Sequence, residues 1–154
     1  MLLRSSVSDD APQRASWEPT MQVMTFYYCV DAHRRGWLRP DRVLTGAQRA
    51  DLLAGLSTWV RADHDVDEIL ARFGPPSLTL GDPDPRQPRT LCYVGPDRHD
   101  PAVGFHLGVE PRRADGPAVL LATSFDEKPL IWTPRGDTYV TSGPSAGAAG
   151  QDAG

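Results

Sequence analysis

The stretch from Asp65 to Leu80 most constrains the fold of this chain, because the spacing of apolar residues changes within it. Up to Phe73 these residues recur at helical spacing: Val66, Ile69, Leu70 and Phe73. Gly74 suits the left-handed position after a helix, and the two prolines that follow cannot continue the helix. Beyond them the period falls to two, which is typical of strands. The stretch therefore predicts a short helix that stops abruptly and leads into a sheet.

Two N-terminal capping boxes predict a helical hairpin. Thr45 with Gln48, and Asp65 with Glu68, each combine an N-cap oxygen with a side chain that can reach back from the third helical position. The first helix is expected to run to about Arg61, with one apolar stripe made of Leu52, Leu53, Leu56, Trp59 and Val60. The second helix is the short one that ends at Phe73.

Runs of β-favouring residues predict the strands. One is expected over residues 21–30, and others over 77–80, 89–94, 102–110, 118–125 and 130–133, with 138–141 extending or capping the last. Loops of roughly six to nine residues between them favour an antiparallel meander. The expected class is α+β, with the two-helix hairpin packed on one face of an antiparallel sheet of about four to six strands.

The length of 154 residues is that of one domain. Residues 1–19 are predicted to form a loosely ordered arm, and residues 20–141 a single α+β domain. Residues 142–154 have the composition of a disordered tail, because they offer almost nothing to bury.

Charge and composition narrow the partners. The net charge of −4 disfavours nucleic acid, whose binding depends on neutralised phosphates; a nucleic-acid-associated role would use Arg34, Arg35, Arg39 and Arg42. Because no apolar segment is long enough to span a membrane or to act as a signal, we expect no membrane partner. The two cysteines are then reduced thiols and the location is cytoplasmic.

The chain contains none of the common linear catalytic motifs, but Cys92 and His106 form a possible pair. If Leu91 and Tyr93 share a sheet face with Phe105 and Leu107, then Cys92 and His106 share the opposite face of adjacent strands. A base-activated thiol would be a nucleophile. The alternative is a buried cysteine beside a histidine with no chemical role.

Gly104 and Gly108 flank His106 on that same face. They could leave a shallow groove for a ligand or partner, or relieve crowding in a twisted sheet. His64 and Asp67 are the candidate metal ligands, although the acidic residues beside them are explained by helix capping and the helix dipole. No cofactor or metal is expected.

Trp132 and Trp37 are the candidate interface anchors, since tryptophan is enriched at binding hot spots. The more common use of such a tryptophan is to close an edge of the small core.

The order helix, helix, Phe73-Gly-Pro-Pro76 and then antiparallel strands resembles the α-α-β-β-β plan of outer-membrane assembly lipoproteins of the BamE type and of the beta-lactamase inhibitory protein. The resemblance covers residues 45–125, and the chain lacks a lipoprotein signal. It implies a scaffold with helices on one sheet face and the other face free to bind a protein.

The expected function is therefore a non-catalytic interaction module, immunity-like, inhibitor-like or accessory, which binds another protein through the uncovered sheet face. A small thiol-dependent or ligand-binding enzyme is the alternative. The sequence leaves the partner and the oligomeric state open.

Overall fold

The computed structural model describes residues 11–109, 116–125 and 128–141, and within them the side chains of 21–109, 116–125 and 128–138. The elements are α1 (Ala11–Arg34), α2 (Gly46–Trp59), α3 (Val66–Phe73), β1 (Leu78–Gly81), β2 (Arg89–Tyr93), β3 (Val103–Gly108), β4 (Val119–Phe125), β5 (Ile131–Trp132) and α4 (Pro134–Thr141). The expected α+β class is confirmed.

The predicted hairpin is confirmed, but of its two predicted capping boxes only the one at α2 is complete, since at α3 the Glu68 carboxylate lies 2.7 Å from Nδ1 of His64. Thr45 and Gln48 form a complete capping box at α2, and the Asp65 carboxylate accepts from the Glu68 backbone N–H at α3. Gly74 has φ of +78°, the left-handed region that ends a helix with least strain.

The sheet is an antiparallel meander of five strands in the order β1-β2-β3-β4-β5, as expected. Its hairpin face, which we define as the face packed against α2 and α3, carries the main core. The core residues from the sheet include Leu91, Tyr93, Phe105, Leu107 and Leu120. Phe73 and Trp59 meet them in a cluster of aromatic rings. Packed aromatic rings of this kind contribute a large part of a small core.

The strand predicted over residues 21–30 is wrong, because these residues lie inside α1. As a helix, the segment places Gln22 and Phe26 one turn apart on the side that meets the sheet. Phe26 is buried, and the Gln22 amide donates to the backbone oxygens of Leu107 at 2.7 Å and Arg89 at 3.3 Å. The aromatic residues favoured a strand, but strand preference is weak and yields to packing of this kind.

The helix also enters the segment predicted as an arm: residues 11–19 are helical, and residues 1–10 lie outside the described residues. Pro19 stands in the helix interior, where it removes one hydrogen bond of the helical ladder. The predicted tail at 142–154 also lies outside the described residues.

The expectation of an uncovered sheet face is wrong as well. α1 packs over β2 and β3 on the face opposite the hairpin, which we call the α1 face, and Phe26 joins Cys92, Val94 and Ala102 in a second buried cluster. The sheet is thus covered on both sides at β2 and β3.

The last predicted strand extension, residues 138–141, is wrong because residues 134–141 form α4. The Thr133 hydroxyl accepts from the Gly136 N–H, as an N-cap does, and Pro134 follows at the first helical position. The Thr133 N–H donates to the Leu121 carbonyl at 2.9 Å, which continues the pairing of β4 with β5, and Leu121 is also the extra residue of a β-bulge in the pairing of β4 with β3.

Candidate functional site

The α1 face of the sheet holds the candidates that the sequence suggested, and there His106 is the central residue. Its Nδ1 lies 2.9 Å from the Thr90 hydroxyl and its Nε2 lies 2.6 Å from the Ser124 hydroxyl. The side chain is only 1% exposed, and burial lowers its pKa from 6.5 to about 4. The imidazole is therefore neutral at physiological pH, with both nitrogens satisfied by buried hydroxyls.

Cys92 does not form the predicted pair with His106. The register sets Cys92 opposite Gly104, and His106 opposite Thr90. Burial, with a smaller effect of the Cys29 thiol, raises the pKa of Cys92 to about 12. A thiol with this pKa stays protonated at neutral pH and is a poor nucleophile.

The space beside Gly104 and Gly108 is already filled. A Cβ atom at Gly104 would lie 2.7 Å from the ring of Phe26, and one at Gly108 would overlap the side chain of Leu121. The Phe26 ring also meets His106 edge-on, with centroids 5.7 Å apart. Gly104 thus admits Phe26 of α1 to the sheet, Gly108 makes room for Leu121 of β4, and neither glycine borders an open groove.

The predicted metal ligands have structural partners. His64 stacks on Trp59 with ring centroids 3.6 Å apart, and its two nitrogens lie 2.7 Å from the Trp59 carbonyl and the Glu68 carboxylate. Asp67 is exposed on the first turn of α3, where a negative charge suits the helix dipole. Across the described residues there is no group of three or more potential ligands that could hold a metal ion.

The four arginines that a nucleic-acid-associated role would use do not share one set of contacts. Arg42 donates to the backbone oxygens of Phe73 and Pro75. Arg35 pairs with Asp31 at 2.9 Å, Arg34 is half-buried, and Arg39 is exposed. The nucleic-acid reading gains no support from this arrangement.

A cleft of about 260 Å³ lies between the connector before α2 and the two hairpin helices. Its polar lining includes Arg42, Gln48, Asp51 and Arg72. Arg72 is paired with Asp51 at 3.0 Å, and Arg42 holds the end of α3. The charged groups of the cleft therefore already stabilise the fold.

The two candidate anchors differ in exposure. Trp132 is half-buried on β5, where its ring lies beside Gly136 of α4, so it closes an edge of the sheet. Trp37 is 72% exposed, with the Arg35 guanidinium 5.1 Å from its ring centre. Only Trp37 is free to act as an interface anchor.

The side of α1 that faces away from the sheet is the surface that the sequence reading missed. We define the α1 outer surface as Met21, Met24, Tyr27 and Tyr28, which are 42%, 46%, 42% and 70% exposed. In a strand, the alternation of side chains would put Met24 and Tyr28 on the same face as Phe26, whereas the helix separates them. The recurrence of apolar residues at 21, 24 and 28 is the helical signal that could have revealed it.

No helix among the described residues is both long enough and apolar enough to cross a membrane. The resemblance to the BamE-type lipoproteins and the beta-lactamase inhibitory protein stays a prediction. Comparisons with protein-family models, with curated proteins and with solved structures gave no match.

Proposed function

We propose that this chain is a non-catalytic protein-interaction module of the cytoplasm, of the inhibitor-like or accessory kind, and that it binds through the α1 outer surface. The proposal keeps the functional class expected from the sequence. It moves the binding surface from the sheet face to the helix that covers that face. The observation that carries it is the exposure of Met21, Met24 and Tyr28 on the outer side of a helix whose inner side packs on the sheet.

The chemistry of this surface is that of protein recognition. Tyrosine, tryptophan, methionine and arginine are the residue types enriched at interfaces, and all four occur at α1 or directly after it: Met24, Tyr28, Arg35 and Trp37. Methionine side chains adapt to a partner because they are unbranched and polarisable. Positions 21, 24 and 28 have the i, i+3, i+7 spacing with which a helix engages another protein.

The enzyme alternative finds less support in the geometry. Cys92 and His106 are buried, they are not paired across the strands, and each has its pKa displaced away from the value that general-base activation of a thiol requires.

Site-specific photocrosslinking in the native host tests the proposal. A photoreactive phenylalanine analogue replaces Met24 or Tyr28, and a matched control replaces Leu70, an exposed apolar residue on α3. We expect discrete protein adducts from positions 24 and 28 that are absent from position 70. Equal adducts from all three positions, or none from 24 and 28, would overturn the proposal.

A further inference from the structure

The α1 outer surface is part of a longer regular seam. Positions 14, 17, 21, 24, 28, 31 and 35 are separated alternately by three and four residues, the spacing of the a and d positions of a coiled coil. Position 19, the proline, falls outside this seam. From position 21 onward its side chains are exposed: Met21, Met24, Tyr28, Asp31 and Arg35.

The seam uses a side of α1 that the sheet does not need. Phe26 and Gln22 face the sheet, while the seam runs along the opposite side of the helix. A helix that is apolar on two opposite sides is typical of one packed between two layers. α1 is about 36 Å long for its 24 residues, enough for three heptads of contact.

We propose that a second copy of this chain occupies the α1 outer surface, with the two α1 helices antiparallel about a twofold axis. The inference rests on the proposed function, because it names the partner of that surface. An isologous pair of this kind requires one surface to be complementary to itself.

The sequence of charges supplies that complementarity. In an antiparallel pair centred between positions 21 and 24, position 21 meets 24, position 17 meets 28, and position 14 meets 31. The sequence then sets methionine against methionine, Trp17 against Tyr28, and Arg14 against Asp31. The apolar layers are thus central and an opposite-charge layer closes each end.

Other arrangements of the same seam are less favourable. A parallel pair would set Arg14 against Arg14 and Asp31 against Asp31, so that like charges repel at both ends. Shifting the antiparallel pair by one layer would set Met21 against Asp31, which costs desolvation of the carboxylate without a partner. One register therefore stands out.

Sedimentation equilibrium of the full chain at concentrations from micromolar to several hundred micromolar tests the inference. We expect reversible dimerisation, with an association constant that falls roughly tenfold or more in Met24→Glu, since the twofold axis brings the new charges close together. Leu70→Glu places the same charge on an exposed apolar residue of α3 and is expected to leave association unchanged. A monomer at all concentrations, or an equal effect of both substitutions, would overturn the inference.

A charge reversal tests the register itself. Asp31→Arg is expected to weaken association, and the double variant Arg14→Asp/Asp31→Arg to restore it. Within one chain these positions are separated by 17 residues of helix, about 25 Å, so they cannot restore each other internally. The double variant does not rebuild the Asp31–Arg35 pair either. Absence of restoration would overturn the antiparallel register.

The two proposals fail differently. A monomeric chain that still forms adducts from positions 24 and 28 with another protein removes the second copy and leaves the interaction module standing. If no adducts form from these positions in cells and the chain is monomeric in solution, both proposals are wrong.

Discussion

At the scale of single residues, His106 illustrates how a residue type that suggests catalysis can serve the fold. Histidine between two hydroxyl groups resembles a reactive arrangement, yet the ring lies against Phe26 and, on the central strand β3, between Thr90 of β2 and Ser124 of β4. Buried polar groups are tolerated when every donor and acceptor is satisfied, as here by Thr90 and Ser124. The hydrogen bonds from His106 to Thr90 and Ser124 thus join β2, β3 and β4 through side chains, in addition to the backbone bonds of the sheet.

The buried imidazole makes stability depend on pH. The pKa of His106 is about 4 in the folded chain against an ordinary value of 6.5, so only the unfolded chain takes up a proton between these values. The free energy of unfolding is therefore highest above pH 6.5, where His106 is neutral in both states. It falls as the pH drops towards 4, by at most roughly 3 kcal/mol. Urea unfolding at pH 7.5 and pH 4.5 measures this loss.

His106→Gln is expected to remove most of that pH dependence. His33, whose pKa is lowered by its partial burial, contributes in the same direction, so His33→Gln is the matched control. If His106→Gln lost as much stability between the two pH values as the unchanged chain, the assignment to His106 would be wrong.

At the scale of elements, α1 depends on its contacts more than on its own sequence. It contains an interior proline, and proline costs about 3 kcal/mol or more in a helix interior. Contacts of its inner side offset this cost: Phe26 fills the space beside Gly104, and the Gln22 amide donates to backbone oxygens of β2 and β3. Phe26 is thus the residue on which the docking of α1 depends most.

Phe26→Ala should detach α1 from the sheet. The expected loss is about 3–5 kcal/mol of unfolding free energy, since a large buried ring is removed from a closed site. In a Cys29→Ser background, the rate at which a thiol reagent labels Cys92 should rise, because Cys92 lies under the same helix.

Tyr28→Ala, measured at low protein concentration, is the control on the exposed side of α1 and is expected to change stability by about 0.5 kcal/mol or less. Equal effects of the two substitutions on Cys92 labelling would contradict this account of α1.

At the scale of the whole molecule, the chain is layered: the hairpin α2 and α3, the five-stranded sheet, and α1 on the other side of β2 and β3. β3 lies in the middle of the sheet and is buried along its length. α1 has one side on the sheet and one side exposed. Local stability should therefore decrease from the centre of the sheet towards α1.

Hydrogen exchange followed by mass spectrometry measures this gradient. We expect the amides of β3 and β4 to exchange most slowly and those of α1 faster at micromolar concentration. Exchange in α1 as slow as exchange in β3 would contradict this gradient.

The sequence by itself determined the parts of this protein whose signals are local. The caps at Thr45 and Asp65, the stop at Gly74 and the alternation of the strands each involve residues a few positions apart, so their physics is complete within a short segment. The cap of α4 is also local, and the pair Thr133-Pro134 could have been recognised.

Only the tertiary structure decided the state of residues 21–30 and the surroundings of the candidate site. Whether this segment became a strand or a helix depended on a surface elsewhere in the chain, the glycine-flanked face around His106, which Phe26 fits. The same contact buried Cys92 and turned Met24 and Tyr28 outward. A side chain is buried only when two surfaces meet, and here residues that are far apart in the sequence form those two surfaces.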